Sequence, residues 1–220
     1  MKVWVFVEGR SDVGALEALW GGWRQKLREE GKGIQLIHLD NKPKFLRKIG
    51  SRATEKLVND PCDVVVGLPD LYPNRGISDY YKHRNLGELQ DVQDRLVRGE
   101  LEKTGMSRRD VESHIARFHA NAMRHDMEVL LLATGQLQSR LKMSSSPSGW
   151  RRPPEKQNQD RPPKRIVEEL FQIHLKRSYS EIRDSDAILR NADIHDIVKQ
   201  CPTFATVIEW IGEKTGVPAH

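Results

Sequence analysis

Cysteine is scarce in this 220-residue chain: Cys62 and Cys201 are the two present. They form no metal-binding spacing, which removes the Cys/His zinc readings, and their scarcity fits a reducing cytoplasm. Long apolar runs are also missing. No segment reaches the ~18–20 apolar residues of a membrane span. The N-terminal run from Val3 to Val7 is too short for a signal-peptide core and meets Glu8 at once. Hydrophobic residues make up 37% of the chain, below the roughly 45–50% of ordinary globular domains, a figure that also counts glycine. Charged residues make up 30%, so a well-hydrated cytoplasmic protein is expected. No Gly-x-x-x-x-Gly-Lys-Ser/Thr loop occurs, which argues against a kinase or GTPase, and no nucleophile elbow is present.

What is present begins with charge. The formal net charge is +5 and the sequence pI about 9.2, a balance that permits nucleic-acid binding without requiring it. The chain is then organised around Lys2–Asp12. Val3-Trp4-Val5-Phe6-Val7 reads as a strand buried on both faces in a parallel sheet. It stops at Glu8; Gly9 frees the backbone to turn, and Ser11 and Asp12 open a helix. A carboxylate at the carboxyl end of a parallel strand lies where open α/β sheets build their sites.

A helix is expected from about Asp12 to Glu30, with Leu16, Leu19, Trp20, Trp23 and Leu27 on its core face. A strand follows at 34–39, ending near His38 and Asp40, read as a solvated loop pair. The helix at 42–59 carries a basic face (Lys42, Lys44, Arg47, Lys48, Arg52, Lys56), which either contacts phosphates or is simply solvated. The third strand, 62–68, leads to Asp70. This β-α-β-α-β order predicts a mostly parallel sheet flanked by helices. Asp70 holds on its strand the place that Glu8 holds on the first. It either makes an Asx-turn before Pro73 or joins Glu8 in a hard-oxygen site for Mg²⁺ or Mn²⁺; the matching strand ends favour the site.

Farther on, 74–85 is a polar loop in which Tyr80, Tyr81, Lys82 and Arg84 interleave rings with cations. A helix is expected at 86–105, a helix start at 107–110 and a weak fourth strand at 114–120. His125 and Glu128 lie three apart at the start of an apolar helix and can share one face. Glu128 either complements the helix dipole or adds a third carboxylate, with His125 as ligand, proton carrier or phosphate contact. The stretch 144–163, rich in Ser, Pro and Arg, is expected to bury little and act as a loop or linker. Short helices follow at 164–175, 185–191, 194–200 and 203–215. The expected organisation is thus an α/β domain over 1–143, a basic linker over 144–163 and a helical C-terminal portion over 164–220.

The strand-Glu8-Gly9-x-x-Asp12 stretch resembles the first motif of the Toprim domain, found in topoisomerases, bacterial primases and overcoming-lysogenisation-defect nucleases. Asp70 matches the first Asp of the second motif; Tyr72 stands where the usual Asp-x-Asp has its second Asp. His125-Asp126-Met127-Glu128-Val129-Leu130-Leu131 is similar to the His-Glu-x-Glu-x-Leu-Leu signature of an uncharacterised bacterial Toprim-like family, in which an aromatic follows the second-motif Asp. Arg161-Pro162-Pro163-Lys164-Arg165-Ile166, Tyr179, Cys201-Pro202-Thr203-Phe204 and Trp210 extend the resemblance to about Ile211. It implies a Toprim-like fold and a metal-dependent nuclease working with an AAA-type ATPase in anti-phage defence, or else a non-catalytic subunit that binds or regulates that ATPase. In the nuclease reading Glu8, Asp70 and Glu128 hold Mg²⁺ or Mn²⁺ and Asp12 holds it through water. His125 assists, Arg10, Lys82, Arg84 and Arg124 grip phosphates, and the substrate is nucleic acid, DNA before RNA.

Overall fold

Runs such as Val3–Val7 and Val64–Val66 have no polar face, so they settle only where helices cover both sides of a sheet. The computed structural model of the chain describes residues 1–72, 74, 76–145 and 150–219. The turn at Pro73 and the 146–149 part of the Ser/Pro-rich stretch lie outside the described residues.

Strand β1 (Lys2–Val7) lies between β2 (Gly33–His38) and β3 (Val64–Gly67), and β4 (Phe118–Ala120) pairs with β3. All three pairings are parallel, in the order β2-β1-β3-β4. An isolated bridge between Asp70 and Met123 prolongs the β3–β4 pairing past the strands. The expected α/β class is therefore the observed one. Side chains of β1 alternate between two cores. Val3, Val5 and Val7 face one with Leu16 and Trp20; Phe6 faces the other with Phe45, Leu46 and Leu89. Each such buried side chain contributes roughly 1.5–3 kcal/mol by leaving water.

The helix expected over 12–30 is two: α1 (Arg10–Leu19) and α2 (Gly21–Glu29). The break falls at Trp20, whose φ of −92° and ψ of 8° leave the helical region, before two glycines of poor helix propensity. Trp20 and Trp23 pack edge to face in the core, centroids 5.8 Å apart. Helix α3 (Lys42–Asn59) matches expectation, as Asn41 Oδ1 accepts from the Lys44 N–H at 3.0 Å and caps it. It packs against α4 (Leu86–Lys103) so closely that a Cβ on Gly50 would lie 2.7 Å from the Leu96 carbonyl oxygen. The fourth strand is shorter than expected because 108–115 forms α5 (Arg108–Ile115), capped by Ser107.

After β4 come α6 (Glu128–Ala133) and α7 (Gly135–Leu141), the latter not foreseen, divided at the extended Thr134. Then α8 (Pro163–Leu175), α9 (Arg183–Leu189), α10 (Ile194–Gln200) and α11 (Pro202–Thr215) complete the chain. Their apolar residues Phe171, Ile188, Phe204 and Ile208 join the core cluster of Val3 and Val5, so the C-terminal helices cover one face of the sheet. The stretch read as burying little does the reverse over 150–157. Trp150, Pro154, Glu155 and Gln157 are buried, and the Glu155 carboxylate accepts from the N–H groups of Thr203 and Phe204 at the start of α11. Composition misses this because the partners lie 48 and 49 residues away.

Candidate active site: an acidic cavity at the carboxyl edge of the sheet

Parallel strands end together, so residues just after β1, β2 and β3 meet at one edge of the sheet. There a cavity of about 200 Å³ is lined by Glu8, Asp12, Asp40, Asp70, Asp126, Glu128 and Glu181. Lys164 is the one cation among its described lining residues; Ser11, Tyr179 and Ser185 are also in the wall. Glu8 follows β1, and its Oε1 accepts the backbone N–H of Asp70 at 3.0 Å. Asp12 turns back within the first turn of α1, its Oδ2 accepting the Gly9 N–H at 2.7 Å. Asp126 accepts the backbone N–H of Lys164 on both oxygens at 3.2 Å, which docks the start of α8 on the cavity. Lys164 Nζ bonds Glu181 Oε1 at 2.5 Å.

Burial and mutual repulsion act together here. Burial, with the charge of Asp12 added, pushes Glu8 up to about 7 despite the Lys42 ammonium. Burial raises Asp12 as well. Asp126 rises to about 7 through burial, and Glu128 to about 8 through burial and the neighbouring Asp126. Asp70 rises well above the usual carboxylate range, first through burial and then through Glu8, Asp12, Asp126 and Glu128. The residue is only half-buried as a whole, but its carboxyl group sits deep, where four other charges act on it. The hydroxyl of Tyr179 is buried and makes no well-aligned hydrogen bond, although it lies within the influence of Glu128 and Ser185.

A second cation stands behind the wall. Lys42, expected on a solvated or phosphate-contacting face, is instead 5% exposed. Its Nζ donates to the Leu71 carbonyl oxygen and to Asn74 Oδ1, both at 2.6 Å. Burial lowers it to about 8 while Glu8 and Asp70 favour its charge. Its place directly after the β2 turn, at the same sheet edge, is the signal that would have found it.

The structure brings Glu8, Asp12, Asp70 and Glu128 to this cavity and places the other candidates elsewhere. His125 lines an adjoining cavity. Arg10 and Arg124 are exposed beside the site. Lys82 pairs with Asp79 at 2.5 Å and Arg84 with Glu88 at 3.4 Å. Sequence reasoning did not place Asp126, Lys164, Tyr179, Glu181 or Ser185 at the site. His38 and Asp40 stand 3.6 Å apart, and Asp40 on the cavity rim also pairs with Lys44 and Lys48.

Among the described residues, no three His, Cys, Asp or Glu side chains converge as a ready ligand set for a metal ion. The chemistry of the donors nonetheless fits a hard divalent cation: oxygen ligands, buried, mutually repelling and in large excess over the nearby ammonium groups.

Among solved structures, the C-terminal region of the Burkholderia pseudomallei OLD protein is similar at 14% identity and a TM-score of 0.43, over 97% of this chain and 98% of that one. No curated protein matches. A family model described as a domain of unknown function, DUF4276, matches residues 7–212. By that match the chain belongs to the DUF4276 family.

Proposed function

We propose that the protein is a divalent-metal-dependent phosphodiesterase of the Toprim type acting on nucleic acid, with the acidic cavity as its active site. The observation that carries this reading is the cluster around Asp70. The buried carboxylates at the ends of β1 and β3 and at the start of α6 (Glu8, Asp12, Asp70, Asp126 and Glu128) are pushed toward their protonated forms by burial and by nearby negative charge, and such a cluster is relieved by a proton or a cation. Glu8, Asp70 and Glu128 would hold Mg²⁺ or Mn²⁺, with Asp12 reaching it through water. When bound, the ion would polarise a phosphoryl oxygen and offset charge in the transition state. Lys164 lines the same cavity and stays charged. Burial works against the ammonium, but its bond to Glu181 together with the charges of Glu181, Glu128 and Glu168 outweighs burial and holds its pKa above the ordinary lysine value. It offers a donor to a non-bridging phosphate oxygen. Arg10 and Arg124, exposed within two residues of cavity-lining side chains, supply further phosphate contacts, as do Lys82 and Arg84 from the loop after β3. The net charge of +5 draws a polyanion to the surface, while the acidic cavity keeps it out unless a cation is bound. An AAA-type ATPase partner in anti-phage defence, with DNA as the substrate before RNA, comes from the Toprim-like resemblance.

The test is cleavage of plasmid, linear DNA and tRNA by the purified protein with Mg²⁺ or Mn²⁺, beside Glu8→Gln and Asp70→Asn. Cleavage by the wild type that both variants lose supports the reading. No cleavage with either ion, alone or with an ATPase partner supplied, overturns it and leaves a non-catalytic subunit.

A further inference from the structure

We propose that the cavity beside the acidic one, walled by Tyr72, His125, Asp126, Pro162 and Arg165, is a nucleobase subsite that seats a base flanking the scissile phosphate. This deepens the phosphodiesterase reading and rests on it. The two cavities share Asp126 as a common wall, so a chain whose phosphate lies in the first has its neighbouring nucleoside at the second. The second cavity measures about 480 Å³, within the roughly 300–1,000 Å³ of small-molecule sites.

Its wall has the two parts that base recognition needs: a ring to stack on and a polar atom to read an edge. The ring is Tyr72. It is half-buried and fixed from two sides. Its hydroxyl donates to the Arg84 carbonyl oxygen at 3.0 Å, and the N–H of the preceding Leu71 donates to the Met123 carbonyl oxygen at 2.6 Å. A platform already held in place loses little freedom when a base stacks on it. The polar atom belongs to His125, whose ring centroid is 6.4 Å from that of Tyr72.

His125 is 3% exposed and its Nε2 has no partner, a state that costs stability until a partner arrives. Burial keeps the imidazole neutral, and the ring interacts with the backbone carbonyls of Glu155 and Gln157. In the neutral tautomer that carries its proton on Nδ1, Nε2 is an acceptor. Nε2 is closed to solvent as the ring stands; a small turn of the ring toward the cavity would let it take a hydrogen bond from an exocyclic amine, as on adenine or cytosine. Arg165, exposed at the rim, lies beside the next phosphate along the chain.

The experiment is binding of labelled single-stranded DNA oligonucleotides, read by fluorescence anisotropy with Ca²⁺ in place of Mg²⁺, while one abasic residue is walked along the strand. One position should weaken binding by about tenfold, the scale of a lost stacking contact. Replacing adenine by purine at that position, which deletes the amine, should weaken binding there and nowhere else. Tyr72→Ala should abolish the positional effect, whereas Tyr72→Phe, which keeps the ring and guards against a folding defect, should retain it. A flat abasic scan with normal binding overturns the subsite alone. A positional effect unchanged in Tyr72→Ala, or no effect of deleting the amine, also overturns it. Failure of every single-stranded oligonucleotide to bind overturns the subsite and leaves the phosphodiesterase reading to the cleavage of plasmid, linear DNA and tRNA.

Discussion

The backbone N–H of Asp70 donates to Oε1 of Glu8 at 3.0 Å, so one carboxylate joins the ends of two neighbouring strands. Glu8 thus has a structural part that needs only an acceptor oxygen and a proposed chemical part that needs a charge. The two are separable by substitution.

In Glu8→Gln the amide oxygen can still accept from Asp70, while a buried negative charge beside Asp12 and Asp70 is gone. Cleavage should fall by about 100-fold or more, and the melting temperature without metal should equal or exceed that of the wild type. Parallel cleavage and thermal-melting measurements check this. Full cleavage by Glu8→Gln would remove Glu8 from the site, and a large loss of melting temperature would show that its charge is needed for folding.

The raised carboxylates also set a pH dependence. Glu8 at about 7, Asp126 at about 7 and Glu128 at about 8 hold protons more tightly in the fold than the unfolded chain does. The folded state therefore binds more protons, and stability falls as pH rises from about 4.5 through about 8. Metal-free protein should melt at progressively lower temperature between pH 5.5 and 8.5. Mg²⁺ or Mn²⁺, binding the ionised form, should raise the melting temperature more at pH 8 than at pH 6. A melting temperature that does not change with pH, or an equal effect of the ion at both pH values, would show that these carboxylates do not act together.

The legible parts of this molecule are those whose signal is local. β1 and β3 are continuous apolar runs, α3 carries its own cap at Asn41, and Glu8 and Asp70 are the carboxylates that end those runs. What was not legible depends on distance. Lys42 sits among five other basic residues on α3, and only the fold distinguishes the buried one from the solvated ones. Lys164, Tyr179, Glu181 and Ser185 reach the cavity because α8 and α9 dock on α6 and α1, with Asp126 accepting from Lys164 across 38 residues. A three-residue spacing puts His125 and Glu128 on one face only where both are helical, and α6 begins only at Glu128. The helical spacing does not extend back to His125, which faces another cavity.

Lys42 should matter for stability more than its place in a basic helix suggests. Replacing it by Met keeps the aliphatic volume but leaves the Leu71 carbonyl and the Asn74 side chain without their buried donor. It also leaves Glu8 and Asp70 without the nearest cation. The expected cost is about 2–3 kcal/mol, measured by urea unfolding without metal. Lys44→Met, four-tenths exposed or more on the same helix, should cost less than about 0.5 kcal/mol. Equal effects of the two would contradict the buried role.

Glu155 offers the sharpest test of the 150–157 stretch as part of the fold. Its side chain is 3% exposed, and its oxygens accept from the Thr203 N–H at 3.0 and 3.1 Å, the Thr203 hydroxyl at 2.8 Å and the Phe204 N–H at 3.2 Å. These are the first-turn donors of α11, which has no capping side chain of its own, and a carboxylate there also meets the positive end of the helix. Glu155→Ala leaves several buried donors unpaired and should cost about 2–3 kcal/mol, or roughly 5–10 °C in melting temperature for a chain of this size. Glu155→Gln, which keeps an acceptor oxygen, should lose less. Because the His125 ring interacts with the backbone carbonyls of Glu155 and Gln157, loosening this stretch by Glu155→Ala should also weaken the base-specific binding proposed for that cavity. A change below about 0.5 kcal/mol in urea unfolding would mean that this stretch is not fastened to the body of the protein through Glu155.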